Sequence, residues 1–305
     1  MVAGGWRSTA GTAVLITGVL LAPTAARADT GCDWWMKRLP IPAGQYSVGP
    51  LAGEGDWLAS GGGTSVVIWH REVARTVEFP VSRSTPDINR HGVLISAGED
   101  GVWRGEEKLG ELPGEPSTVH SINADGDVAG VSGGALVVWP AGSTSPTPLE
   151  GTDDGRFWQV SGMDDAGNVV AATSADGVRQ GYVWGPQGER VELQPLAGHH
   201  EVSPTLIRDG RVYGSSSERG GEWATTSVEW NLRGEVVRTM ELGPVFDVND
   251  AGDELLSWSG AVRRADGRVD RWSYPFTLAF PSVLAENGDL YGGQYYEGPA
   301  KLFCR

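Results

Sequence analysis

Apolar positions in this chain come in short runs. Nowhere past the first thirty residues do they keep a helical period beyond two turns. The clearest stretch is Ser121-Ile-Asn-Ala-Asp-Gly126-Asp-Val-Ala-Gly-Val-Ser132, followed by Ala135-Leu-Val-Val-Trp139-Pro-Ala-Gly142. Its apolar runs are rich in β-branched residues and bounded by Gly, Pro and Ser, the pattern of strands joined by tight turns. The pattern recurs. Marker glycines fall at Gly55, Gly92, Gly126, Gly167, Gly210, Gly252 and Gly288, spaced 34 to 43 residues apart. A period near 40 residues is that of a four-stranded propeller blade.

The repeated Asn/Asp-x-x-Gly step has a physical cause. A type I turn favours Asn or Asp at its first position, where the side chain caps the backbone, and Gly at its fourth. Asn89/Gly92, Asn123/Gly126, Asp164/Gly167 and Asn249/Gly252 fit fully; the other copies keep the Gly. Each blade reads as strand A before this turn, strand B after it, strand C ending in Val-Trp or similar, and a Leu-Pro type strand D. Trp69, Trp103, Trp139, Trp184 and Trp230 end C strands and are expected to form core between neighbouring blades. The last copy stops at strand C, with Cys304 near its end. The segment from Cys32 to Pro42 reads as a lone strand D. The expectation is an all-β, seven-bladed β-propeller closed by an N-terminal strand that completes the last blade; closure removes exposed sheet edges. The sixth copy, Gly260-Ala-Val-Arg-Arg264, lacks the Trp; without it the ring has six blades.

Composition narrows the class. The chain has 305 residues, 45 Gly and 13 Trp, with 21% charged and a formal net charge of −15. Abundant Gly and Trp argue against a helical protein. The acidic balance argues against nucleic acid, acidic polysaccharides and anionic membranes as partners. Residues 1–28 hold a basic start at Arg7, an apolar stretch from Ala13 to Ala22 and a small-x-small site at Ala26-Arg27-Ala28. They read as a secretory signal cleaved after Ala28, leaving residues 29–305 as one propeller domain in an extracellular, monomeric protein.

The run Gly126-Asp-Val-Ala-Gly-Val-Ser132 with Val138-Trp139 resembles the extracellular HAF repeats of secreted bacterial proteins. Those carry an Ile-Asn-x-x-Gly-x-Val-x-Gly-x-Ser run and then a His-Ala-Phe-x-Trp strand. Here the tripeptide is replaced by Val-Ile-Trp, Val-Val-Trp and Tyr-Val-Trp endings. The resemblance spans most of residues 29–305. It implies a propeller and brings no activity with it.

Chemistry-bearing motifs are few. Gly130-Val-Ser132-Gly-Gly134 matches a nucleophile pattern, but that pattern needs a following helix, and here a strand follows. Asp125-Gly126-Asp127 lacks the further oxygen ligands of a calcium loop and reads as a turn. The five His residues show no metal-ligand spacing; His199 and His200 are adjacent and chelate only within a loop. No catalytic residue, metal or cofactor is expected. In an up-and-down blade, the A–B and C–D turns share one face. Those A–B turns are short and regular and read as structural. The opposite face carries the irregular loops, and function favours such loops. His199, His200, Arg219, Glu222, Trp223, Tyr295 and Tyr296 are the candidate contact residues there, for an extracellular glycan or protein. The leading reading is a secreted binding propeller. The alternative is a glycan-active hydrolase or lyase at the channel mouth, which needs His or carboxylates aimed inward from A strands; these strands begin mostly with small polar residues, His120 and Glu201 being exceptions. Finally, an oxidising compartment and the repeat register together predict a Cys32–Cys304 disulfide in place of the missing C–D turn.

Overall fold

Each Asn/Asp-x-x-Gly step closes a hairpin. The Gly92 amide donates to Asn89 O, and Gly126, Gly167 and Gly252 repeat the bond to Asn123, Asp164 and Asn249. Asn89 Oδ1 also accepts the amides of His91 and Val93. The marker glycines hold φ between 61° and 94°, a region where a β-carbon is strained.

The computed structural model of this chain describes residues 32–43, 51–62, 65–78, 86–218, 225–256, 260–272, 280–294 and 298–304. The expected secretory segment, residues 1–28, lies outside them. The described residues form seven four-stranded antiparallel sheets and no helix, and none of their segments is a helix long and apolar enough to cross a membrane. Blade three shows the standard plan: Thr118–Ile122, Val128–Ser132, Ala135–Trp139 and Thr147–Pro148. Blade six is present with short strands, Asp247–Val248, Glu254–Leu256, Ala261–Arg263 and Val269–Arg271, so the ring is seven-fold. Blade seven is completed by Trp34–Arg38, which pairs antiparallel with Gly298–Cys304 from Trp34↔Cys304 to Arg38↔Ala300. Cys32 and Cys304 are joined in a disulfide with Cα atoms 5.5 Å apart.

Neighbouring blades are held by an aromatic wedge with a polar tip. Trp69, Trp139, Trp184 and Trp230 are fully buried. Each indole donates to a backbone carbonyl one blade back: Trp69 to Pro40 at 2.8 Å, Trp139 to Gly110 at 2.7 Å, Trp184 to Glu150 at 3.1 Å and Trp230 to Gln194 at 2.7 Å. Each ring lies in register beside an aliphatic residue that opens strand B, namely Leu58, Val128, Val169 and Val212. Trp103 of blade two is half-buried, and its Nε1 has no partner among the described residues.

Near the axis, polar side chains of one A strand bind the backbone of the next. Asp87 Oδ2 accepts the Ile122 amide at 3.2 Å, Ser121 Oγ the Met163 amide at 3.2 Å, and Asp247 Oδ2 the Leu284 amide at 2.7 Å. One turn later, Asn89 Nδ2 donates to Asn123 O and Asn249 Nδ2 to Ala285 O. The same motif that shapes each hairpin therefore also joins it to its neighbour.

Two outcomes follow from these contacts. Cys32→Ser is expected to lower the melting temperature clearly, because a bridge across 272 residues contributes up to about 5 kcal/mol by restricting the unfolded chain. Faster amide exchange confined to Trp34–Arg38 and its partner strand is the accompanying sign; an unchanged melting temperature contradicts it. Trp139→Ala is expected to cost about 3–5 kcal/mol in denaturant unfolding, since it empties a wedge and orphans the Gly110 carbonyl.

Candidate functional site

The A strands carry a recurrent irregularity. In blades three, four, five and seven, the A–B pairing slips by one residue, between Val119/Ser121, Val160/Gly162, Pro204/Leu206 and Pro281/Val283. The residues left over are His120, Ser161, Thr205 and Ser282. A bulged residue leaves the pleat and is re-aimed out of the sheet; on the innermost strand of a propeller, that direction is the channel. Phe246 of blade six stands at the corresponding offset from its marker glycine and is 40% exposed. These positions carry one imidazole, three hydroxyls and one phenyl group; the Ser161 hydroxyl donates to Pro204 O at 2.8 Å and that of Thr205 to Tyr213 O at 3.3 Å.

His120 and Ser161 line an axial cavity of about 250 Å³, together with Asp87, Ser121, Glu54 and Arg208. Solvent reaches the His120 ring through this well, yet the surrounding protein desolvates it and holds its pKa below the ordinary histidine value. The ring is therefore neutral at pH 7 and can both donate and accept; its Nε2 lies 3.2 Å from Thr118 Oγ1. The two carboxylates that reach the well are engaged. Asp87 accepts the amides of Ile88 and Ile122, and Glu54 accepts hydrogen bonds from Arg90 and Arg208.

At the A–B turn face, charged side chains cross the axis. Arg90 of blade two binds Glu54 at 2.7 Å, Asp165 of blade four at 2.5 Å and Asp250 of blade six at 3.5 Å. Arg208 of blade five binds Asp250 at 2.7 Å, Glu54 of blade one at 3.3 Å and Glu286 of blade seven at 3.6 Å. Blades two and six, and blades five and one, are as far apart as a seven-blade ring allows. The pairs therefore span the channel mouth. The carboxylates also cap turn amides: Asp165 takes that of Ala124 and Glu286 that of Asp250. The A–B face, read from sequence as structural, carries ion pairs that cross the axis beside the well.

Of the sequence-derived contact residues, the structure describes His199 and His200; Arg219, Glu222, Trp223, Tyr295 and Tyr296 lie outside the described residues. His199 Nδ1 is 3.1 Å from Ser216 Oγ, which also accepts the Leu196 amide. Ser216 is the blade-five counterpart of Ser132, whose hydroxyl accepts the Leu112 amide and the Ser117 hydroxyl. This repeated position pins the D–A loop, which accounts for the Gly-x-Ser-x-Gly match without catalysis. His200 is exposed. Asp127 accepts the Ala141 amide, as a turn residue. Among the described residues, no group of three or more His, Cys, Asp or Glu is placed to hold a metal ion. Sequence reasoning missed the bulge ring. A fixed offset was available: His120, Ser161, Phe246 and Ser282 each stand six residues before a marker glycine, and Thr205 five.

No protein-family model and no curated protein matches the chain. Solved structures share its fold. A streptogramin B lyase structure superposes with TM-score 0.58 at 11% identity, covering 89% of this chain and 98% of that one. Virginiamycin B lyase from Staphylococcus aureus gives 0.59 at 10%, covering 90% and 100%. The extracellular domain of a one-component system from B. thetaiotaomicron gives 0.54 at 10%, covering 87% of this chain and 39% of that one. Likeness at this identity establishes the propeller and nothing finer.

The inter-blade carboxyls carry a pH prediction. Burial pushes Asp87 and Asp247 up to about 7, against the opposing hydrogen bonds from backbone amides. A carboxyl whose folded pKa is raised stabilises the fold most below its unfolded pKa, and that stability is lost as pH rises through about 7. The melting temperature is expected to fall between about pH 5 and pH 8. Asp87→Ser/Asp247→Ser, which copies Ser121, is expected to flatten that slope; an identical slope in both proteins contradicts the assignment.

Proposed function

We propose that the protein is an extracellular binding propeller whose axial well takes a neutral, hydroxyl-bearing ligand of glycan type. The ring of bulge residues carries this reading. Hydroxyls, a neutral imidazole and an aromatic ring are the groups that recognise sugar hydroxyls and the apolar faces between them. Both carboxylates in the well are held by other partners. Glycoside hydrolysis needs two carboxylates free to act as acid and as nucleophile or base, so the arrangement supports binding over glycoside hydrolysis. The disulfide, and an extracellular domain among the structural neighbours, support the compartment. With the A–B mouth spanned by ion pairs, the ligand approaches from the face of the B–C and D–A loops. There Phe157 is 83% exposed and His200 is exposed.

A glycan array, followed by calorimetry on the strongest binder, tests this reading. His120→Ala is expected to weaken binding by about tenfold or more, the worth of a buried hydrogen-bond pair, while leaving the melting temperature within a few degrees. Product formation from the same glycan, abolished in His120→Ala, replaces the binding reading with the enzymatic one. Loss of affinity in Trp223→Ala but not in His120→Ala moves the site from the well to the loops.

A further inference from the structure

Blade six departs from the wedge rule at one place. In register, Arg263 stands where other blades carry the C-strand Trp, and Glu254 stands where they carry the aliphatic residue that faces it. The substitution of a charged pair for an apolar one is extended by blade five. Arg238 binds both Glu229 and Glu254, Arg263 binds Glu254, and Arg211 Nη1 lies 3.6 Å from Glu229. The result is a ladder, Arg211–Glu229–Arg238–Glu254–Arg263, running across the seam between two blades.

The ladder is polarised. Glu229 and Glu254 are only 3% and 6% exposed, whereas Arg263, Arg238 and Arg211 are 20%, 34% and 62% exposed. Carboxylates form its buried back and guanidinium groups its outer surface. Where the indole is missing, the seam opens into a cavity of about 450 Å³ lined by Arg208, Arg211, Arg238, Arg263, Arg264 and Tyr213 among others, a volume within the usual range of small-molecule sites, about 300–1,000 Å³. The other charges at this cavity are accounted for. Arg208 is bound by Asp250, Glu54 and Glu286. Arg264 is bound by Asp253 and by Asp270, which is 2% exposed. Asp209 and Asp250 stand at the lining as well.

Stability does not explain the ladder. Replacing a buried ion array with apolar residues of similar volume is commonly neutral or stabilising, and four other blades of this ring use the apolar form. We propose that the blade-five to blade-six seam binds the carboxylate of a small acidic solute, held by the guanidinium groups of Arg211, Arg238 and Arg263. Arg238 and Arg263 spend Nε and Nη2 on the buried Glu229 and Glu254, which fixes the guanidinium groups in place; a ligand carboxylate would meet their Nη1 groups and the Arg211 guanidinium in charge-assisted hydrogen bonds. A polyanion is disfavoured by the net charge of −15; a single carboxylate can approach the exposed guanidinium groups of Arg211 and Arg238, which salt screens from charges beyond about 10 Å.

Calorimetric titration of the full chain with sodium acetate and with sodium glucuronate, at about 0.1 M ionic strength, tests the proposal, with glucose and sodium phosphate as comparisons. Both acids are expected to bind, and glucose is not expected to bind at the seam. Glu254→Val/Arg263→Trp rebuilds the wedge of blade three. It is expected to fold with an equal or higher melting temperature and to lose acid binding by about tenfold or more, the worth of a charge-assisted hydrogen bond. Arg211→Gln, at the exposed end, is expected to keep the fold and weaken acid binding severalfold, so the test survives if the double variant does not fold. His120→Ala is expected to leave acetate affinity unchanged, which separates this site from the well. Absence of acid binding, equal acid affinity in the seam variants, phosphate binding in place of carboxylate, or loss of acetate binding in His120→Ala overturns the proposal.

Discussion

The indole that ends strand C is the contact on which the rest of the ring depends. A four-stranded sheet with two apolar faces must bury both against neighbouring elements. Burying a Trp side chain removes about 200 Å² from solvent, worth about 5 kcal/mol before entropy is counted. The N–H adds direction: it binds the carbonyl where the previous blade's strand D leaves the sheet. Trp69 makes this bond to Pro40, so the wedge of blade one grips the N-terminal strand that completes blade seven.

Because seams are settled by strand C and by the turns, the inner edge of strand A is left to carry irregularity. Bulges there cost a ladder bond but are supported on both sides by rigid sheets. Scarce basic residues follow a similar economy of place. The chain has 24 Lys and Arg against 39 Asp and Glu, and Arg90, Arg208, Arg211, Arg238, Arg263 and Arg264 are gathered at the axial mouth and at one seam. Both clusters carry more structural constraint than a solvated surface pair, which is worth little by itself.

The ring was legible in the sequence because its determinants are local and periodic. Gly126 and Trp139 lie in one short segment, and their counterparts repeat at blade spacing. The closing strand was legible because Cys304 ends a copy that lacks strand D while Cys32 begins a strand D that lacks a copy. The well was not legible in the same way. A bulge at His120 is a property of pairing, visible only once Val119 and Ser121 have partners. The axial ion pairs join residues such as Arg90 and Asp250, separated by 160 positions, and no local pattern records which charges meet across a ring. The missing Trp of blade six read as a weak repeat; register shows that Arg263 and Glu254 occupy the wedge position with a different chemistry.

The pairing of Trp34–Arg38 with Gly298–Cys304 also fixes an order of events. Six sheets can form from contiguous chain, each within its own hairpins. The seventh requires residues from opposite ends of the sequence to meet, a non-local contact of the kind that slows folding. Until it forms, the array is an open arc with two unpaired edges, the state in which β-proteins are most prone to associate with one another. The molecule's yield therefore depends on how quickly these two distant segments find each other.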